Sequence, residues 1–169
     1  MIVSDLFKNA ILITWRRDVA YALRLVGDLS EEQMIAQPVP GRAMNHPAWA
    51  LAHLSLYNEV IAKMLRRIAF DDPKEHPFGM KSSPQSDVKI YQPRAAAIEQ
   101  YRHSHDDAER ALVECEPIVF AEDVPLERWR LLHPKVSDMT VMLMVKHESM
   151  HLGQLSAWRR AMGLGRVDM

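Results

Sequence analysis

One cysteine, Cys115, is all that the 169 residues hold of that type, so neither an internal disulfide nor a cysteine-rich metal site can form. Net charge is nearly absent as well. Lys and Arg number 21 against 22 Asp and Glu, and a formal charge of -1 supplies no overall field to draw nucleic acid. Long apolar runs are also missing: the most hydrophobic stretch, residues 139–145, is far shorter than a membrane span and leads into charge and histidine. The first residues meet Asp5 and Lys8 at once and do not read as a signal peptide. These absences predict a cytoplasmic protein with neither nucleic acid nor membrane as partner. No stretch alternates convincingly between apolar and polar residues and no unit recurs, which argues against a sheet and against a solenoid.

What the sequence does have is helical periodicity, with apolar residues at steps of three and four over four long segments. The first, 4–26, takes Ser4 as its N-cap and carries Leu6, Ala10, Ile13, Arg17 and Ala20 on one stripe. The second, 45–70, opens on Asn45 as a cap, followed by His46 and Pro47, and carries Trp49, His53, Leu56 or Tyr57, Val60 and Met64. The third, 93–115, carries Ile98, Tyr101, His105, Ala108, Leu112 and Cys115; the fourth starts after Ser137 and runs through Arg160 to a stop at Gly163. Between them, 28–44 reads as a short capped helix and a proline loop, 71–92 as a long exposed crossing, and 116–136 as a connection apolar enough to pack back on the helices. The expectation is an all-α fold, a four-helix bundle with long crossover loops, in a single domain spanning residues 1–169.

The eight histidines are not equivalent. His46, His76, His103 and His133 fall at a helix start, in loops or on a polar face, where solvated or capping roles suffice. His147 and His151 are four residues apart on one helix, so they project from the same side and can meet one cation. Leu143, Met144, Leu155 and Trp158 place the pair on the buried stripe, where an imidazole costs desolvation unless its nitrogens are satisfied. A metal satisfies them directly. His53, on the apolar stripe of the second segment, is the best third ligand, and three nitrogen ligands leave a position for water and substrate. His105 stays open as a fourth ligand, a support for the ligands, or a satisfied core histidine.

The string from His147 to His151 also matches the H-E-x-x-H pattern of zinc peptidases. Gln154 and Ala157 stand where the extended pattern has glycine and histidine, nothing after His151 is His or Glu, and Asp168 is a poor substitute. Peptidase chemistry is disfavoured. Glu148 is a candidate general base or a support for the ligands. Cys115 has no assured basic partner to make it a nucleophile. Arg159, Arg160 and Arg166 read as solvated cations near a helix C-terminus, with an acidic substrate or thiol as the alternative ligand for them.

Two stretches carry a family resemblance. The run Asn45, His46, Pro47, Trp49, His53, Leu54, together with His147, Glu148, His151, Gly153, Gln154, Leu155, Trp158, Arg160 and Gly163, resembles the DinB/YfiT-like family of metalloenzymes. The resemblance implies a four-helix bundle whose divalent metal, often nickel, zinc or iron, is bound by one histidine of the second helix and an i, i+4 pair of the last. Those positions here are His53, His147 and His151, the trio reached from the helical faces. Ala52 stands where members often carry glycine. The resemblance also implies a homodimer, and reactions that range from transfer or isomerisation with a low-molecular-weight thiol to hydrolysis. The expected function is that of a divalent-metal-dependent enzyme of the thiol-dependent S-transferase or hydrolase type with a small-molecule substrate. A non-catalytic metal-binding or small-molecule-binding bundle is the alternative.

Overall fold

Helices α1 (Ile2–Val26), α2 (Pro47–Leu65) and α3 (Arg94–Glu114) are followed by the single turn α4 (Glu127–Arg130), then α5 (Val136–Val141) and α6 (Glu148–Ala161), in a computed structural model that describes residues 2–168. A π-helical segment, Met142–His147, joins α5 to α6 into one continuous rod. Among the described residues no strand forms, and only Asp123 and Lys135 make an isolated bridge. The all-α expectation holds.

Hydrogen bonds between helices fix their directions. Lys8 on α1 reaches the Val113 carbonyl and Trp15 the His105 carbonyl, so α1 and α3 are antiparallel. Asp18 meets Ser149 and the Leu25 carbonyl meets Arg159, so α1 and the rod run together. Asn45 pairs with Gln154 and His53 with His147, which sets α2 against the rod. Asn58 with Ser104 and Arg66 with Asp107 then make α2 and α3 parallel neighbours. Parallel neighbours cannot be joined by a tight turn, which accounts for the long 71–92 crossing.

The core falls into two apolar clusters. One gathers Trp15, Ile61, Leu112, Val124, Met139 and Met144; the other gathers Leu25, Leu51, Leu54, Leu152, Leu155 and Trp158. Between them α2, α3 and the rod place buried polar side chains: His53, Ser55 and Asn58 on α2, Ser104 and His105 on α3, and His147, Glu148 and His151 on the rod. Buried polar groups cost stability unless they are paired. A whole layer of them marks a level of the bundle where packing is not the only demand.

Several local expectations are corrected. The buried stripe of α1 is Ile11, Trp15, Ala22 and Leu25, whereas Leu6 and Ile13 are 64% and 62% exposed. This helix has apolar residues on two sides, and spacing alone does not say which side packs. Ser4 lies inside α1 and does not cap it. The N-cap of α2 is His46, not Asn45: its Nδ1 accepts from the Trp49 amide. This histidine is buried, and α2 stops at Leu65 instead of continuing toward Phe70. The stop is a Schellman closure in which Arg67 takes φ 58°, its N–H bonds to Met64 and the Ile68 N–H bonds to Lys63. The same closure ends α6 at Gly163, φ 72°, as the sequence suggests.

The connections also differ in part. Val119, Phe120, Val124 and Trp129 pack back as expected, but Leu131 and Leu132 stay exposed. Arg159 is not solvated: it is 4% exposed and donates to the Leu25 carbonyl and to both oxygens of Asp28, tying the end of α6 to the end of α1. Arg159→Ala should therefore lower unfolding stability by about 2 kcal/mol, the scale of lost charge-assisted hydrogen bonds. A urea midpoint unchanged from wild type would contradict that clasp.

Candidate metal centre

The rod presents two buried rows at strict steps of four: Val136, Thr140, Met144, Glu148, Leu152, and Met139, Leu143, His147, His151, Leu155. In an α-helix each step of four over-rotates by about 40°, so such rows should wind off the face. The wider π turn at Met142–His147 takes back part of that rotation and keeps both rows inward. The i, i+4 histidine pair thereby arrives beside α2. The strict four-residue spacing was a readable sign of this segment, and the periodic reading missed it.

His53, His147 and His151 converge. One ring nitrogen from each lies within 4.8 Å of the others, His53 Nε2 and His147 Nε2 are 3.0 Å apart, and all three side chains are buried. His53 Nδ1 donates to the Phe78 carbonyl at 2.6 Å. A carbonyl only accepts, so Nδ1 carries the proton and Nε2 turns a lone pair toward the other two rings. Trp49 stacks on His53 at 4.5 Å, and Tyr57 packs on both His53 and His147.

Burial pushes His53 down to about 4, with the Phe78 hydrogen bond opposing. Burial also takes His151 to about 4 and His147 to about 2, each helped by repulsion from neighbouring imidazoles. All three are neutral at pH 7, the form that binds a metal. His151 Nδ1 is buried without a hydrogen-bond partner among the described residues. Three neutral imidazoles with an unpartnered buried ring nitrogen among the described residues fit a divalent transition ion such as nickel, zinc or iron.

Glu148 does not join this group. It is fully buried, Oε1 accepts from the Tyr101 hydroxyl, and Oε2 has no partner among the described residues. Burial raises its carboxyl to about 8 against the pull of the Tyr101 hydrogen bond. His105 is not a ligand either. It stacks on Trp15 at 3.8 Å in the core, with neither ring nitrogen partnered among the described residues and burial holding it at about 3. Cys115 is buried, and its thiol is pushed up to about 11, which disqualifies it as a nucleophile. Asp168 is exposed beside Arg166.

Sequence reasoning missed what holds the trio. The 71–92 crossing is more than an exposed strap: it buries Pro73 and Gly79, delivers the Phe78 carbonyl to His53, and places Ser82 to accept from Trp49 Nε1 at 3.1 Å. The crossing also supplies Asp72, which grips Arg128 through Nε and Nη2 at 2.6 Å each, and Arg128 stands beside the Tyr57 phenol. Burial raises the Tyr57 phenol, and the Arg128 charge opposes that rise. A backbone carbonyl and contacts between loops leave no periodic signal.

Gly79 is essential to this arrangement, because a Cβ there would stand 1.8 Å from the Pro73 carbonyl oxygen. Gly79→Ala must shift the segment that carries Phe78, and should weaken metal binding by about 10–100-fold, the usual cost of losing a ligand's outer hydrogen bond. Calorimetric titration with unchanged affinity would contradict the role of the Phe78 carbonyl.

Among curated proteins none matches this chain. A family model described as the DinB superfamily matches residues 14–155, a span that contains the three histidines and most of every long helix. The match covers most of the sequence, and the chain belongs to the DinB superfamily.

Proposed function

We propose that this protein is a divalent-metal-dependent enzyme in which His53, His147 and His151 hold a nickel, zinc or iron ion and a small molecule reacts beside it, by thiol-dependent S-transfer or by hydrolysis. The observation that supports the reading most is the locked His53 tautomer, whose Nε2 lone pair is aimed at two other neutral, buried imidazoles. Packing alone does not call for a backbone carbonyl to orient that ring. The bound ion supplies Lewis acidity, which favours the deprotonated form of a water or thiol nucleophile.

The chain's own residues do the rest. Trp49 and Tyr57 wall the imidazoles, and the two apolar clusters above and below exclude water. Glu148 acts as a positioning residue: its bond to Tyr101 ties the rod to α3 at the level of both rod ligands. Glu148→Gln should weaken metal binding more than it alters the pH profile of turnover, whereas a general base would move the profile. A low-molecular-weight thiol is the proposed co-substrate. A homodimer in the cytoplasm completes the reading, with Leu6 and Ile13 on α1 as exposed apolar surface for a second copy.

The test is a screen of the metal-loaded protein against thiols paired with electrophiles, and against esters and amides. Metal-dependent turnover lost in His147→Ala supports the reading. Full metal occupancy with no turnover in either class would leave the non-catalytic metal-binding bundle.

A further inference from the structure

Arg128, on the short helix α4, is held by an aspartate and an aromatic ring together. Arg128 lies over the Trp129 ring at 4.9 Å, with both Asp72 oxygens on its Nε and Nη2, and its side chain is 25% exposed. A guanidinium carries five N–H donors. Among the described residues Nη1 has only a weak contact with the Met80 sulfur at 3.9 Å, so donors remain after Asp72 is satisfied. The same guanidinium stands within reach of the Tyr57 phenolic oxygen. Tyr57 in turn packs its ring 4.8 Å from His53 and 4.9 Å from His147. Arg128 is therefore one side chain removed from two of the three imidazoles.

Charge points the same way. Three neutral imidazoles leave both charges of a divalent ion uncompensated, Glu148 is turned to Tyr101, and Asp72 is already matched by Arg128. An anion is the complement of such a mouth. The planar guanidinium edge suits a carboxylate. A phosphate dianion would meet Asp72 with twice the repulsion.

We propose that Arg128 and Tyr57 form a carboxylate-recognition pair at the mouth of the metal centre, so that the substrate is a small molecule carrying a carboxylate next to its reacting group. This rests on the metal reading above. A bare latch between the two connections would need only the Asp72–Arg128 contact and would be indifferent to ligands.

Cobalt(II) serves as a spectroscopic probe of the site, titrated with acetate and with its uncharged isostere acetamide. Acetate should perturb the visible spectrum of the cobalt-loaded protein at lower concentration than acetamide. Arg128→Gln should weaken acetate binding by about tenfold or more, the scale of a hydrogen bond to a charged group, and leave acetamide unmoved. Tyr57→Phe should weaken acetate by a smaller factor, and it carries the test if Arg128→Gln does not fold. Unchanged acetate affinity in the folded variants would overturn the proposal while leaving the metal centre intact. A wild-type chain that takes up no cobalt would overturn both.

Discussion

Nickel or zinc at about a thousand times its dissociation constant should add about 4 kcal/mol to the unfolding free energy of the wild-type protein. For a chain of this size that is a rise in Tm of about 8–16 °C. His53→Ala and His147→Ala should show no such rise, because a pair of the remaining nitrogens cannot hold the ion tightly. The same variants, freed of metal, should keep their helical content and lose little stability. Metal-free, the wild-type trio crowds three neutral imidazoles together and leaves His151 Nδ1 buried without a partner among the described residues. The two apolar clusters continue without them. Differential scanning calorimetry with and without metal reads both effects. A metal-free His53→Ala chain that fails to fold would mean that the site serves stability first.

Stability of the metal-free protein should peak at about pH 7 and collapse toward pH 5. The unfolded chain protonates its histidines near 6.5, but burial holds His53 and His151 at about 4, His105 at about 3 and His147 at about 2 in the fold. Between those limits the unfolded state binds more protons, so the contribution of these groups is full above 6.5 and is lost as pH falls. Glu148 works in the opposite sense. Its carboxyl, raised from 4.5 to about 8, keeps a proton in the fold that the unfolded chain has released, so its contribution is full below 4.5 and fades as pH rises through 8. Each proton is worth about 1.4 kcal/mol per pH unit, and four histidines outweigh one glutamate. The net slope near pH 5 is on the order of 4 kcal/mol per unit, enough to unfold an ordinary domain within two units. Saturating metal keeps three of those histidines deprotonated and should move the acid limb to lower pH. Urea midpoints in the presence of a chelator that stay flat from pH 5 to pH 7 would contradict the neutral, buried trio.

The ligands were legible because the chemistry sits on the helical period itself. His147 and His151 repeat at one turn, and His53 falls on the same stripe as Trp49 and Tyr57, all buried in the fold. The stripe of α3 was legible for the same reason, from Tyr101 through Leu112. For α1 the period was visible but its phase was not, since Leu6 and Ile13 offer a second apolar side that solvent keeps. The parallel pairing of α2 and α3 was hinted at only by the length of the crossing. Everything that finishes the site comes from connections: the Phe78 carbonyl, the Gly79 approach and the Asp72–Arg128 grip are long-range meetings of loop residues, without periodicity. The direction of Glu148 was equally hidden, because the π turn just before it sets which face of the rod meets α3.

The most direct test of the metal centre is elemental analysis of protein purified without a metal-affinity tag, run beside His53→Ala and His147→Ala. About one transition-metal ion per chain in the wild type, absent from both variants, is the result expected of a three-histidine site. A wild type that carries no ion and takes none up on titration with nickel, zinc and iron(II) would contradict it, and would make His53, His147 and His151 a packing feature of the polar layer.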